Sequence, residues 1–478
     1  MKILMVASEA TPFSKTGGLA DVLGGLPAAL AARGEQVAVV TPAYRQNQYP
    51  NPPREAYRNL WIPLGPGYAV DIYEIEERNV KFYFVHSPPL YDRDGIYGFA
   101  DDHIRFTVLC MAALGVARHL FPANIIHGHD WQAALVPVYV REHFFADPTF
   151  AGVKLLFTIH NLGYQGIFPP EALSQIGLDP KLFNPEQLEF YGKLCLLKGG
   201  IAWSDAVSTV SKGYAREIQT PEHGFGLDGF LRKHGPIAGI VNGVDYAEWN
   251  PENDPHIARN YSVSDLSGKR ECKRAVLEEY GLPAENPDRP LIGIVSRFAG
   301  QKGFDLVAQV ASSLLDEDVC VAAVGSGDAE YESMFRYLAH ARPDRVGVRI
   351  GYDNPLAHRI EAGADIFLMP SRYEPCGLNQ IYSLKYGTVP VVRATGGLDD
   401  TIDEDTGFKF RDYTGSALLQ AVRSAVGAYR DRDAWVSMMR RGMRKDFSWS
   451  AAAGEYLALY RRLTDESFSP VLHLFRGD

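Results

Sequence analysis

The segment from Lys2 to Val40, KILMVASEATPFSKTGGLADVLGGLPAALAARGEQVAVV, decides the fold. It opens with an apolar run, Lys2 to Ala7, and crosses a polar, Gly-rich loop from Ser8 to Gly18. A helical pattern then runs from Leu19 to Arg33, where Gly34 can end it, and a second apolar run follows at Val37 to Val40. A strand, a helix and a strand in that order form a βαβ unit, the element of a parallel sheet with helices on both faces.

The same rhythm extends outward. Apolar runs recur at Lys81 to Val85, Ile125 to His127, Lys154 to Ile159 and Ala206 to Val210, most of them followed by helix-like segments. After Pro-rich stretches at Asn250 to Pro255 and Gly281 to Pro290 it restarts: strand-like Leu291 to Val295, loop Ser296 to Gly303, helical Phe304 to Leu315, strand-like Val319 to Val324. A further unit comprises Ile366 to Met369, Leu378 to Tyr386 and Val389 to Val392, ending at a Gly396-Gly397 loop. The reading is α/β, with two doubly wound halves joined near Val241 to Tyr246. Ligands of open parallel sheets lie beyond the carboxyl ends of the strands, so two such halves facing each other are expected to enclose one deep cleft. No repeat of 20 to 50 residues marks a solenoid.

Composition narrows the function. The 478 residues are 46% hydrophobic, yet no apolar stretch approaches the roughly 18 residues of a spanning helix. With 58 acidic against 48 basic residues the net charge is −10, and no basic run offers the footprint that nucleic acid requires. Five scattered cysteines without C-x-x-C give neither a disulfide framework nor a zinc knuckle, and a reducing, cytoplasmic setting is expected. The N-terminus does not read as a signal or transit peptide.

Lys15-Thr16-Gly17-Gly18-Leu19 lies between strand and helix, where glycines admit a ligand close to the backbone and a helix start and a lysine favour an anion. The spacing is neither that of a P-loop nor G-x-G-x-x-G. Ser296 to Gly303 repeats the device with Arg297 and Lys302, so two cationic loops are expected to grip one diphosphate, the alternative being solvated loop cations. Glu374 precedes a helix and suits either a cap or sugar hydroxyls. Ala394 to Leu398 is a third Gly-rich loop of this kind. His160-Asn161 and His127-Gly128-His129-Asp130-Trp131 end strands, with Asp130 expected as an N-cap. His127, His129 and His160 lack a metal-ligand spacing, and no metal site is predicted. Gly325-Ser326-Gly327-Asp328 is half a dinucleotide fingerprint, broken at Glu330. Tyr91, Tyr97, Phe99, Trp131, Tyr164 and Phe168 are aromatics suited to sugar stacking or to the core.

Lys15 to Val22, His129 to Trp131, Thr158 to Asn161, Val241 to Asp245, Arg297 to Gly303 and Glu374 to Leu378, in this order, resemble the bacterial glycogen synthases and their starch synthase relatives. The resemblance implies a GT-B glycosyltransferase of two Rossmann-like domains. The expected boundaries are 1–242 for the acceptor side and 243–455 for the donor side, with 456–478 returning to the N-terminal domain. It implies transfer of glucose from ADP-glucose to the non-reducing 4-hydroxyl of an α-1,4-glucan with retention. Carried over by position, Lys15, Gly17 and Gly18 meet the distal phosphate and sugar side, and Arg297 and Lys302 hold the diphosphate. Glu374 with the amides of Cys376, Gly377 and Leu378 fixes glucose hydroxyls. His160, Asn161, Asn242 and Asp130 line the glucose and acceptor side, Tyr352 stacks on adenine, and the Thr395-Gly396-Gly397 loop offers Gly397 as a phosphate-facing amide. Where many relatives carry a second Glu for ribose, this chain has Tyr382.

A protein nucleophile would want two carboxylates about 5 Å apart. The motifs offer only Glu374 and Asp130, on different halves. A same-face route is therefore expected, in which the departing phosphate oxygen takes the acceptor proton and no metal or pyridoxal phosphate is used. Alternatives are a UDP-glucose-dependent or other retaining GT-B transferase, a pyridoxal-phosphate phosphorylase, a non-catalytic glucan or nucleotide-sugar binding protein and, more distantly, a dehydrogenase.

Overall fold

The computed structural model describes residues 1–465; the expected tail beyond them, to 478, lies outside the described residues. The chain divides into two compact units. Among the described residues the first holds Met1–Val210, Ala215–Gly243 and 449–465; the second holds Ser211–Tyr214 and Val244–Ser448. The return to the first unit thus begins at Trp449 and not at 456, because Trp449–Thr464 is one helix whose first residue is already anchored there. A Cβ added at Gly25 would lie 2.0 Å from the Trp449 ring nitrogen, so that glycine is a seat for the indole.

The first unit is built on a nine-stranded sheet. From one edge the strands are Ile237–Gly239, Ala206–Thr209, Lys154–Ile159, Ile125–His129, Lys2–Val6, Gln36–Pro42 and Val80–His86, all parallel. Tyr68–Glu77 and Arg54–Ile62 then add antiparallel. Parallel strands covered on both faces need continuous apolar runs, and Ile3 to Val6 are wholly buried. The helix Gly18–Ala31 lays Leu19, Val22, Leu23, Leu26 and Leu30 on the sheet beside Tyr456, Tyr460 and Leu463 of the C-terminal helix. A small sheet of Ile167–Phe168, Glu189–Phe190 and Lys193–Cys195 completes the unit.

The second unit is a six-stranded parallel sheet in the order Val346–Ile350, Cys320–Gly325, Leu291–Val295, Ile366–Met369, Val389–Arg393, Phe408–Phe410. Its core joins Ile292, Ile294, Leu368 and Val391 to Phe298, Phe304 and Phe335. Each unit is a Rossmann-like α/β domain with loops at the carboxyl ends of its strands, where the sequence placed the reactive groups. Among the described residues no helix is long and apolar enough to cross a membrane, and all five cysteines are buried and outside any disulfide.

Candidate active site

In the second unit, Leu291–Val295 ends at Ser296 and Arg297, and a short turn at Gly300–Lys302 leads through Gly303 into the helix Phe304–Asp316. Lys302 Nζ donates to Glu374 Oε2 at 2.6 Å, and Ser371 Oγ donates to the same oxygen at 3.0 Å. Arg297 is exposed and donates to Gln301 Oε1 at 3.1 Å, while Gln301 Nε2 reaches the Tyr373 carbonyl at 3.3 Å. The cationic turn and the Glu374 loop are therefore stitched together, and the structure brings Arg297, Lys302 and Glu374 into one cluster.

Glycines make this closeness possible. A Cβ at Gly303 would lie 1.9 Å from the Pro370 carbonyl oxygen, and one at Gly397 would lie 2.1 Å from that of Cys376. A Cβ added at Gly325 or Gly327, the half fingerprint, would lie 1.8 or 2.2 Å from the carbonyl oxygen of Ser296 or Phe298, so their role is to let the Arg297 loop pack down and not to cradle a dinucleotide. One expectation is corrected here. The Gly397 amide donates to the Glu374 carbonyl at 3.0 Å and the Thr395 amide to that of Arg393 at 2.9 Å, so both are turned to the protein and not to a phosphate. Gly377, at φ +72°, turns the chain into the helix Asn379–Lys385. Cys376 is buried and Leu378 partly exposed at that turn. Gly396, at φ +47°, opens the next helix. Tyr352 is 86% exposed, leaving its ring face open to stacking. Tyr382 lies flat on Trp249, with ring centroids 4.0 Å apart and planes within 8°, and His358 covers the other indole face at 3.7 Å. That position serves packing.

In the first unit, Lys15 Nζ donates to Asp21 Oδ1 at 2.6 Å, with 48% of the Lys15 side chain in solvent. Gly17 and Gly18 open the helix that follows. Behind this loop sits Glu9, buried, accepting from the Thr16 amide and, at 3.0 Å, from the Thr16 hydroxyl. Burial raises its pKa, opposed by these donors. Sequence reading missed Glu9. The available signal was a carboxylate just past the carboxyl end of an apolar strand, a position where ligands are met.

His127, His129 and His160 converge. His129 Nδ1 and His160 Nε2 hydrogen-bond at 3.0 Å, and the His127 and His129 ring centroids are 4.0 Å apart. His127 is held by the Tyr460 hydroxyl at 2.8 Å and that of Thr158 at 2.6 Å. Burial lowers all three pKa values, that of His160 to about 3, so the rings are neutral at pH 7. Among the described residues no three His, Cys, Asp or Glu side chains form a group able to hold a metal. Asp130 is corrected from helix cap to clamp. The cap position is His129, and Asp130, at φ +57°, turns its carboxylate back to accept from the His160 amide at 2.7 Å. Asn161 Oδ1 accepts from the Gly163 amide at 2.9 Å, and Asn242 is buried with Oδ1 unpartnered among the described residues. Of the aromatics, Tyr91 is core, Tyr97 hydrogen-bonds Ser8 at 2.7 Å, and Tyr164 is exposed.

Burial pushes the Asp130 carboxyl from 3.8 up to about 7. A folded-state pKa above the unfolded one stabilises in acid, and that contribution is lost between about pH 4 and 7 as the unfolded chain ionises first. Asp130→Asn keeps an acceptor for the His160 amide and removes the penalty. The variant is expected to match the parent near pH 4 and to exceed it by a few kcal/mol at pH 8. Amide hydrogen exchange in Lys154–Ile159 at the two pH values measures this, and a pH-independent difference would contradict it.

Comparison with known proteins agrees with this architecture. A family model described as the starch synthase catalytic domain matches residues 2–233, and one described as glycosyl transferases group 1 matches residues 282–440. The fold and these matches define a glycosyltransferase of two Rossmann-like domains. A glycogen synthase of Koribacter versatilis is 50% identical, with 97% of this chain and 98% of that protein covered. One of Myxococcus xanthus is 46% identical over 98% of this chain and all of its own length. Among solved structures, the catalytic domain of starch synthase IV from Arabidopsis thaliana, bound to ADP and acarbose, matches with TM-score 0.87 and 31% identity over 97% of this chain and 99% of that one. Sucrose-phosphate synthase from Thermosynechococcus elongatus, at 20% identity and TM-score 0.60 over 97% of this chain and 98% of that one, shares the fold. The chain belongs to the glycogen synthase family.

Proposed function

We propose that the chain transfers glucose from ADP-glucose to the non-reducing 4-hydroxyl of an α-1,4-glucan with retention of configuration. The observation that carries this reading is the Lys302–Glu374–Ser371 cluster: a cation, a carboxylate and a hydroxyl within hydrogen-bond distance, on loops that glycines hold in contact. The related Arabidopsis enzyme, bound to ADP and acarbose, supports an adenine nucleotide donor and a glucan-like acceptor.

In this reading the diphosphate is met by Arg297 and Lys302, and the exposed Tyr352 ring takes the adenine. Glu374, with the amides around Gly377, orients the glucose hydroxyls. As the glycosidic bond to phosphate breaks, negative charge grows on the leaving oxygen, and fixed cations stabilise that state more than the ground state. Glu374 is already bound by Lys302 and Ser371, and Asp130 by main-chain amides, so neither is poised as a nucleophile. A same-face displacement follows, the leaving oxygen accepting the acceptor's proton. His160, neutral at pH 7, can lie beside a sugar gaining positive character without repelling it. Lys15 and Asn161 serve the sugar side, and the charge on the diphosphate is balanced by side-chain cations, with no metal or organic cofactor required.

Radiolabelled ADP-glucose, UDP-glucose or GDP-mannose incubated with glycogen is expected to place label in precipitated polymer from ADP-glucose first. Release of that label by an α-1,4-specific glucosidase reports retention. Label chiefly from UDP-glucose would overturn the donor assignment, and binding of ADP-glucose without incorporation would make the chain a binding protein.

A further inference from the structure

His129 and His160 end neighbouring parallel strands, in a register that pairs His129 with Thr158. Their rings meet edge to edge, Nδ1 of His129 to Nε2 of His160 at 3.0 Å. Asp130, the next residue after His129, holds the His160 main-chain amide at 2.7 Å from a left-handed backbone conformation, which aspartate tolerates better than most residues. Two consecutive residues thus grip His160, one by its ring and one by its backbone. His129 is wholly buried, whereas His160 retains 9% exposure.

A hydrogen bond between two neutral imidazoles needs one N–H and one lone pair, so each ring's tautomer dictates the other's. If His160 Nε2 donated, His129 would carry its proton on Nε2. That atom is buried and has no partner among the described residues. An orphaned N–H in a dry interior loses its water partners without replacement and is the rarer defect in folded proteins. With the opposite polarity, His129 Nδ1–H donates, its Nε2 is bare, and His160 carries its proton on Nδ1. His127 cannot relay a proton into the pair, because both its nitrogens are occupied by Tyr460 and Thr158.

We infer that His129 is a positioning residue: it fixes the orientation and the tautomer of His160, so that His160 presents an Nδ1–H donor to a sugar oxygen. This rests on the proposed placement of His160 beside the sugar. It adds a requirement that the activity alone does not impose, namely that the residue before Asp130 be a hydrogen-bond donor.

Long-range proton–nitrogen correlation on the full chain carrying ¹⁵N-histidine reads the tautomer directly. The expected spectrum has His160 protonated on Nδ1 and bare on Nε2, and a wild-type spectrum with Nε2 protonated overturns the inference. His129→Leu is expected to abolish the single tautomer and lower kcat/KM about 10-fold or more. His129→Asn, whose amide N–H stands where Nδ1–H stood, is expected to restore most of that loss. If the Leu variant fails to fold, the wild-type and Asn spectra still decide. Unchanged kcat/KM in His129→Leu, or an Asn variant as impaired as the Leu variant, also overturns it. His160→Ala separates the two levels: unimpaired turnover in that variant defeats the placement of His160, while the tautomer remains what the spectrum reports.

Discussion

Lys302→Ala is expected to lower turnover by a factor of about 100 or more, equivalent to about 3 kcal/mol of barrier, the scale of one lost charge contact in the transition state. In the proposed mechanism the contact strengthens as the leaving oxygen gains charge, so kcat and kcat/KM are expected to fall together. The side chain does two things. In the proposed reaction Nζ offers charge to the diphosphate, and in the structure it pairs with the buried Glu374 at 2.6 Å. Removing it leaves that carboxylate with the Ser371 hydroxyl among its known partners, so the second unit also loses stability, by less than the 3–5 kcal/mol of a fully buried pair since Lys302 is partly exposed. Glu374→Gln divides the two effects: it keeps an acceptor for Ser371 and removes the charge. A similar loss of turnover with smaller loss of stability is expected. The double variant Lys302→Ala with Glu374→Ala is expected to be little worse than the poorer single, because the two act as one unit. Steady-state kinetics on glycogen, with urea unfolding alongside, measures all of this. Near-normal turnover in both single variants would remove the cluster from the chemistry.

What could be read beforehand follows physical lines. Strands buried on both faces are continuous apolar runs, so Lys2–Val6, Lys154–Ile159 and Leu291–Val295 were visible, and with them the two-domain architecture. Arg54–Ile62 and Tyr68–Glu77 were not, because a half-exposed antiparallel edge mixes Arg, Glu and Asp among its apolar residues. The strand-to-helix loops were legible through their glycines and cations. Their internal wiring was not. Gly397 and Gly327 look alike in sequence whether a phosphate or a carbonyl abuts them, and the abutting carbonyls come from Cys376 and Phe298. Asp130 before a helix reads as a cap, and its positive φ leaves no trace in residue type. Glu9 gains meaning only when the chain folds back to bring Thr16 onto it.

Gly303→Ala is expected to reduce turnover about as far as Lys302→Ala while leaving every charged group in place. Two penalties meet at this residue. Its φ of +78° lies in the left-handed region, where a Cβ costs roughly 1–2 kcal/mol. That Cβ would also stand 1.9 Å from the Pro370 oxygen and 2.7 Å from the Pro370 carbonyl carbon, and a backbone cannot swing aside as a flexible side chain can. The strand end at Pro370 must move by an ångström or more, and Ser371 to Glu374 follow it. The Lys302–Glu374 contact at 2.6 Å then opens on the side where it is needed, and a displacement of about 1 Å can cost a site about 100-fold. Gly281 separates the two penalties. It lies in the same unit at φ +65°, with nothing within 4 Å of its added Cβ. Gly281→Ala is therefore expected to lower the stability of the second unit by about 1–2 kcal/mol and to keep its turnover. If Gly303→Ala behaves like Gly281→Ala, with a modest stability loss and full activity, close packing of the cationic turn on the Glu374 loop is not what organises the reaction. If activity falls only at Gly303, the glycine is there to bring two loops to the distance at which a lysine and a glutamate can act on one sugar phosphate.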